Sequence, residues 1–189
     1  MNAVRMHEFG GPSVLRYEEA PTPEPARDQI LIRVHAAGIN PVDGKIRSGT
    51  FHGFRPELPA ILGRDISGVV EKSEVNNFRV GDEVFGILDY HRGSYAEYAA
   101  AAPNEIVKKP GGLDHLQAGS IGVAALTAWQ ALFDNGEWRS GQRVLIHGGG
   151  GGVGHYAVQF AAAAGAEVAA TANAKDLEFG KMAGSYLNI

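Results

Sequence analysis

The sequence has no cysteine among its 189 residues. This absence excludes thiol catalysis, iron–sulfur clusters, cysteine-ligated zinc and disulfide bonds. The sequence also has little net charge, since 17 Lys and Arg residues stand against 21 Asp and Glu residues, for a formal charge of −4. Because neutralising nucleic-acid phosphates requires clustered cations, and no such block is present, nucleic acid is not expected as a partner.

A long uninterrupted apolar run is also lacking. Residues 116–133 and 144–166 contain no Asp, Glu, Lys or Arg, but Gln, Ser, Thr, His and Gly interrupt them. A membrane-spanning helix needs about 20 mostly apolar residues. The first residues, Met1–Glu8, contain no apolar signal segment. We therefore expect a soluble, cytoplasmic protein with no membrane partner.

The first 110 residues contain patterns typical of short strands. Residues 30–35 alternate apolar and other side chains, as expected of a half-buried strand. A turn is predicted at Val80–Asp82, which contains Gly81. Further strands are predicted at residues 67–72, 83–87 and 95–101. Many short strands with glycine-rich turns favour a compact β barrel or sandwich.

The pattern changes near residue 113, where helical spacing begins and extends over Leu113–Asn135. A short apolar strand, Arg143–His147, is followed by a glycine-rich loop and then by a second strand at Glu167–Thr171. Between that loop and the second strand, an apolar stripe predicts a helix that ends at Gly165. The stripe consists of Val153, Ala157, Phe160, Ala161 and Ala164.

A strand, a glycine loop, a helix and a second strand are the opening of a doubly wound parallel sheet. A second helix is predicted at Asp176–Met182, and a third strand would begin in Tyr186–Ile189. The predicted fold class is therefore α/β plus β. We predict a β-rich domain over residues 1–118 and a partial dinucleotide-binding domain over residues 119–189.

The glycine loop contains the pattern Gly149-x-Gly151-x-x-Gly154 between a predicted strand and a predicted helix. That context indicates a dinucleotide fingerprint, because the pyrophosphate of the cofactor binds to free N–H groups at a helix N-terminus. Gly149 is expected to permit the tight turn, Gly151 the approach of the pyrophosphate and Gly154 the packing of the helix. Gly152 and Val153 would supply further N–H groups. The alternative is a flexible glycine linker.

The residues after the second strand bear on the choice of cofactor. NADH is usually held by an acidic residue at the end of that strand, and here the strand ends in Ala-Thr-Ala without one. Asn173 and Lys175 follow, and both could hold a 2′-phosphate, so NADPH is favoured. Alternatively, Asn173 is a helix N-cap paired with Asp176, and Lys175 is a solvated cation.

Taken together, these motifs resemble the zinc-independent quinone oxidoreductases of the medium-chain dehydrogenase/reductase superfamily, the relatives of zeta-crystallin. The resemblance extends through Phe9–Leu15, Ala37–Asp43, Lys45–Gly49, Leu62–Asp65, Val80–Gly86, Gly93–Tyr98 and Leu126–Leu132 into the glycine loop. It implies a GroES-like catalytic domain followed by the first part of a Rossmann domain.

The resemblance also implies that the chain has lost both metal sites of the superfamily. Zinc-dependent members have Cys-His and Gly-His-Glu where this chain has Asn40-Pro41 and Gly63-Arg64-Asp65. Asn, Pro and Arg cannot supply the ligands that zinc requires. No two of the seven histidines are spaced four residues apart, so we expect them to act singly.

By the same resemblance, Asn40 lies beside the nicotinamide, and Lys45 stands where some relatives have Tyr. Thr127 matches a threonine that contacts the cofactor. Lys45 could provide a positive field or a proton, or be a surface lysine, and Thr127 could instead bond back to a helix carbonyl. Tyr17, Tyr90 and Tyr95 are expected to pack rather than to act as acids.

The implied reaction is hydride reduction of a quinone or an α,β-unsaturated carbonyl by NADPH without zinc. Conjugation spreads the incoming charge onto oxygen, where hydrogen bonds can stabilise it. The resemblance covers somewhat more than half of a family chain. The expected partners are therefore a second copy of this chain, in a homo-oligomer, or a partner chain that completes the fold. The alternative function is that of a catalytically inactive paralogue that binds a nucleotide or has a structural role.

Overall fold

The computed structural model describes residues 1–176 and 187–188. The strands are β1 (Asn2–Met6), β2 (Leu15–Glu19), β3 (Ile30–Ala36), β4 (Ala60–Ile61), β5 (Asp65–Ser73), β6 (Glu83–Ile87), β7 (Tyr98–Ala101), β8 (Ile106–Lys108), β9 (Arg143–Ile146), β10 (Glu167–Ala170) and β11 (Leu187–Asn188). The α-helices are α1 (Pro41–Ser48), α2 (His115–Trp129) and α3 (Gly152–Ala163). The chain divides into two compact units, Met1–Val123 and Ala124–Ile189.

The first unit is built on a five-stranded antiparallel sheet with the order β7-β3-β5-β6-β8. This confirms the predicted β-rich domain. β6 has the predicted bounds, and β3 and β5 extend slightly beyond theirs. β7 starts at Tyr98 rather than at Tyr95, because the N–H groups of Ser94 and Tyr95 donate to the carbonyls of Gly63 and Leu62.

A second sheet of the first unit has the order β2-β1-β4 and is also antiparallel. The sequence patterns did not predict these strands or α1. The α1 helix nevertheless has clear local signals, with Asn40 as N-cap, Pro41 in its first turn and Gly49 at φ 76° after its last residue. The chain enters the helix through Asn40, which fixes the position of this candidate site residue.

The core of the first unit lies on one face of the five-stranded sheet. Its largest fully buried aliphatic side chains are Ile30, Ile32, Ile66, Val70, Val84 and Leu88. Burying each such side chain contributes roughly 1.5–3 kcal/mol to folding. These buried side chains hold together the sheet in which Asp65 begins β5.

The second unit contains a parallel sheet with the order β11-β10-β9. This is the order that the first three strands of a doubly wound sheet adopt. The predicted third strand is confirmed at Leu187–Asn188. The second helix was predicted at Asp176–Met182. Of these residues only Asp176 is described, and it ends a short 3₁₀ turn.

The helix after the glycine loop forms as predicted, but its buried face differs from the predicted stripe. Val153 is 39% exposed, whereas Val158 is fully buried. The buried positions of α3 are Gly154, Ala157, Val158 and Ala161. The face is rotated because Gly154, rather than Val153, contacts the loop that precedes the helix.

The predicted helix over residues 113–135 is confirmed as α2 followed by a short π-helical segment, Gln130–Asp134. The combined stretch of 20 residues, His115–Asp134, is long and apolar enough to cross a membrane by length and composition alone. Core helices of soluble proteins meet the same criterion. The absence of a membrane partner remains a prediction.

Two histidines form a pair that the spacing rule missed. The rings of His35 and His115 stack with their centroids 4.5 Å apart. Nδ1 of His115 lies 2.8 Å from Oγ of the buried Ser67, and its Nε2 lies 3.2 Å from the Glu83 carboxylate. The expectation that the histidines act singly was therefore wrong, because four-residue spacing detects only helical neighbours.

Candidate functional site

In the second unit, the glycine loop is held against the end of β10 by Thr171. The N–H of Gly148 donates to Oγ1 of Thr171 at 3.0 Å, and the N–H of Gly149 donates to its carbonyl at 2.8 Å. The left-handed residue of the turn is Gly148, with φ 75°. At Gly149, which was expected to permit the tight turn, a β-carbon would lie 2.8 Å from that of Ala170. A β-carbon at position 148 would strain this turn.

The start of α3 is fixed by close backbone contact between Gly154 and the loop. A β-carbon on Gly154 would overlap the carbonyl oxygen of Gly148, so only glycine permits this approach. Gly151 caps the helix with extended backbone angles, φ −83° and ψ 169°. The predicted packing role of Gly154 therefore has a specific partner, which is the loop backbone rather than a strand.

The first N–H groups of a helix have no acceptor within it. In α3 these belong to Gly152, Val153 and Gly154, beside the capping Gly151. A β-carbon on Gly152 would meet no atom within 4 Å, so the helix start has free space on that side. The helix start thus presents three N–H donors and the positive end of a helix dipole, which suits the pyrophosphate of a dinucleotide.

The predicted phosphate-binding residues follow β10. Asn173 and Lys175 are both exposed, and Asn173 accepts the N–H of Asp176 on its backbone carbonyl at 2.8 Å. Sequence reasoning placed no acidic residue near the cofactor, but the Asp176 side chain lies against Gly150 of the loop. The short 3₁₀ turn Ala174–Asp176 brings this carboxylate back to the loop, which the distance along the chain did not suggest. Thr127 is an exposed residue of α2 in the same unit.

In the first unit, Asn40 is bound to a buried acid. Its Nδ2 donates to Oδ2 of Asp65 at 2.9 Å, and the N–H of Val123 donates to the other carboxylate oxygen at 2.7 Å. Asp65 is only 2% exposed. Burial raises the pKa of the Asp65 carboxyl above its ordinary value, while these two hydrogen bonds act in the opposite direction.

A second buried acid fixes the backbone of Asn40. The N–H of Asn40 donates to Oδ2 of Asp43 at 2.7 Å, and the hydroxyl of Tyr95 donates to the same oxygen at 2.8 Å. Burial raises the pKa of the Tyr95 hydroxyl, and the Asp43 carboxylate adds to this effect. Tyr95 therefore keeps its proton and serves as a hydrogen-bond donor inside the fold. Sequence reasoning did not identify this role for either residue.

Lys45 lies in α1, one turn after Asn40, and its side chain is exposed. Arg64 occupies the position before Asp65 at the start of β5. Its Nε donates to the carbonyl of Leu88 at 2.8 Å, and its guanidinium lies 4.0 Å from the centre of the Tyr90 ring. Within the described residues, no group of three or more His, Cys, Asp or Glu side chains could hold a metal ion.

Comparison with known proteins identifies relatives of this chain. Residues 26–111 match the alcohol dehydrogenase GroES-like domain. A quinone oxidoreductase from Sus scrofa is 43% identical over 179 residues, which are 93% of this chain and 54% of that protein. The quinone oxidoreductase structure from Coxiella burnetii superposes with a TM-score of 0.93 at 42% identity, covering all of this chain and 62% of the other.

Along its length the chain is therefore similar to quinone oxidoreductases, and it contains a GroES-like domain over residues 26–111. It spans about half the length of the curated relatives that it matches. A further relative, the Escherichia coli quinone oxidoreductase in complex with NADPH, is 30% identical with a TM-score of 0.91, covering all of this chain and 58% of that one.

The similarity to these relatives extends over both candidate regions of the chain. The GroES-like unit carries the pairs Asn40–Asp65 and Asp43–Tyr95, and the second unit carries the glycine loop with Thr171. Thr171 was missed because a threonine at a strand end carries no distinctive signal. Asp65 was quoted only as part of a motif, and its bonds to residues 25 and 58 positions away become evident only in the fold.

Proposed function

We propose that this chain is part of an NADPH-dependent reductase of quinones or α,β-unsaturated carbonyls that works without zinc. The single observation that supports this most strongly is the geometry of the glycine loop. Contact between Gly154 and Gly148 fixes the start of α3, whose first N–H groups have no acceptor within the helix. The NADPH complex of the Escherichia coli relative supports the choice of cofactor.

The residues of the second unit fit the diphosphate of NADPH. The N–H groups of Gly152, Val153 and Gly154 would hold it. The N–H of Gly151 itself donates to the Gly148 carbonyl at 2.9 Å, and Thr171 keeps the loop in place. Lys175 and Asn173, both exposed, would contact the 2′-phosphate, and Thr127 is proposed as a further cofactor contact. When bound, NADPH supplies the hydride.

Asn40 and Lys45 are the residues that we propose for catalysis. Asp65 accepts one N–H of the Asn40 amide, which fixes the amide plane and leaves its second N–H to donate to cofactor or substrate. A donor preset in this way would stabilise negative charge developing on the substrate oxygen. The exposed ammonium group of Lys45 would add a positive field or a proton.

The donor groups of the first unit support the proposal that the reaction needs no zinc. The positions that hold zinc ligands in zinc-dependent relatives carry an amide already bound to Asp65 and a guanidinium bound to Leu88. A permanently charged guanidinium cannot bind a cation. A quinone or an enone suits such a site, because its conjugation stabilises the incoming charge without a Lewis acid.

The test combines turnover with cofactor binding in the 189-residue chain. We expect a simple quinone to be reduced with loss of NADPH absorbance, and NADPH to stabilise the fold by about 2.7 kcal/mol at a concentration of about 100 times Kd. Gly151→Val should abolish that stabilisation, because a side chain at the helix cap blocks the diphosphate. Stabilisation without turnover would favour the alternative of an inactive nucleotide-binding paralogue. If the chain shows neither turnover nor stabilisation by NADPH, both proposals are contradicted.

A further inference from the structure

Asp176 lies on the glycine loop although it follows β10 by several residues. A β-carbon placed on Gly150 would be 2.7 Å from the Asp176 β-carbon, 3.2 Å from its Cγ and 3.3 Å from Oδ2. The Asp176 side chain therefore covers the face of Gly150 from which a side chain would project. This places a carboxylate in contact with the middle of the loop that leads into α3, whose first N–H groups we assign to the cofactor diphosphate.

The connection between β10 and the loop fixes where this carboxylate stands. Thr171, the residue directly after β10, binds the loop at Gly148 and Gly149, so the segment that continues to Asp176 runs beside the loop. In dinucleotide-binding sheets, the end of the second strand is where the adenosine ribose and its 2′ substituent are recognised. Asp176 thus stands between the proposed diphosphate site and the proposed 2′ site.

Asp176 and Lys175 carry opposite charges beside the proposed 2′-phosphate site. Asp176 brings a negative charge toward a site for phosphate, while Lys175, the preceding residue, brings a positive one. Among the described residues, Lys175 forms no ion pair with Asp176, and its side chain is exposed. The carboxylate is therefore not neutralised by its neighbour and would repel an additional phosphate.

We propose that Asp176 is a specificity-determining residue of the cofactor site, whose carboxylate weakens binding of the 2′-phosphorylated cofactor and so narrows the preference for NADPH over NADH. This inference rests on the proposed function. It refines the view that Asn173 and Lys175 alone set the preference. Removing the charge of Asp176 should shift the preference toward NADPH, and removing the charge of Lys175 should shift it toward NADH.

The experiment measures Kd for NADPH and for NADH with the full chain at low ionic strength, from the fluorescence of the reduced nicotinamide. The variants are Asp176→Asn, which is nearly isosteric, and Asp176→Ser, which keeps a small polar side chain. The control is Glu167→Gln, because Glu167 is an exposed acid of the same unit at the other end of β10. Urea unfolding of each variant shows that the fold is kept.

For both Asp176 variants we expect the ratio of Kd for NADH to Kd for NADPH to rise about fivefold, the effect of one pair of like charges about 4 Å apart in water. The rise should shrink when salt is added. In Glu167→Gln the ratio should stay within about twofold of its original value, because the screened field of a distant exposed charge is weak.

An unchanged ratio in both Asp176 variants, with NADPH still bound, would overturn this inference and leave the proposed function standing. An equal rise in Glu167→Gln would overturn it as well, because the effect would then come from net charge alone. Failure of the original chain to bind either cofactor would instead overturn the proposed function, and the inference would fall with it.

Discussion

At the scale of single residues, the environment of Asn40 follows from two buried carboxylates. Asp65 binds the side-chain amide of Asn40, and Asp43 binds its backbone N–H. Both acids are almost fully buried, with exposures of 2% and 4%. Groups buried this deeply are costly unless they are hydrogen-bonded, so the geometry of Asn40 is coupled to the stability of the first unit.

This coupling predicts the result of exchanging the two partners. Asn40→Asp should destabilise the fold by about 1–3 kcal/mol, because two carboxylates would face each other. Asp65→Asn should destabilise it by a similar amount, because the new amide N–H would face one of the two N–H donors that now bind Asp65. The double variant restores one donor and one acceptor and keeps an oxygen for the Val123 N–H. It should recover at least half of the loss in urea unfolding. Additive losses would show that the pair is not coupled.

The stacked histidines predict a pH dependence. Burial lowers the pKa of His35, and the neighbouring His115 and Arg33 lower it further, while Glu83 acts against this shift. Because the unfolded chain then binds the proton more readily, stability contributed by His35 is present above its ordinary pKa of 6.5 and is lost as the pH falls below it.

We therefore expect the free energy of unfolding to fall between about pH 7.5 and about pH 5.5, and to fall less in His35→Gln. His52→Gln is the matched control, since His52 is exposed and lies on a different segment. Urea unfolding at the two pH values measures the difference. Equal losses in the original chain and in His35→Gln would refute the assignment.

At the scale of structural elements, the loop and α3 depend on one contact between glycines. Gly154→Ala should cost about 1–3 kcal/mol, because its β-carbon would overlap the carbonyl oxygen of Gly148. Gly152→Ala is the matched control in the same helix turn, where a β-carbon meets no atom within 4 Å, and should stay within about 0.5 kcal/mol. Urea unfolding measures both, and equal effects would contradict the role of this contact.

Elements with a strong local pattern could be predicted from the sequence. The alternation in residues 30–35 located β3, and the glycine fingerprint located the loop and the start of α3. Short elements were missed, because strands such as β4 and β8 have only two and three residues and no room for a period. The α1 helix was missed although its capping residues gave a signal.

The candidate site could be predicted only in part, for a physical reason. A fingerprint such as that of Gly149, Gly151 and Gly154 is local in the chain, so spacing identifies it. The contacts that hold the site, such as those from Asp65 to Val123 and from Thr171 to Gly148, join residues far apart in the sequence and leave no periodic trace. Local reasoning likewise missed the return of Asp176 to the loop.

At the scale of the whole molecule, an antiparallel GroES-like unit is joined to the first strands of a parallel sheet, as the sequence predicted. In the described sheet β9 is an edge strand, and its Leu145 is 55% exposed. Exposed apolar residues at a sheet edge are usual sites of further packing. The chain spans 54% of the length of the Sus scrofa relative.

The central claim is that the loop before α3 binds the diphosphate of a reduced nicotinamide cofactor. Amide hydrogen exchange of the full chain, with and without NADPH, tests it most directly, because bound N–H groups exchange more slowly. We predict slower exchange in the segment that contains Gly152–Gly154, no change in β3 and β5, and loss of the effect in Gly151→Val. Exchange at Gly152–Gly154 that NADPH leaves unchanged would contradict the claim.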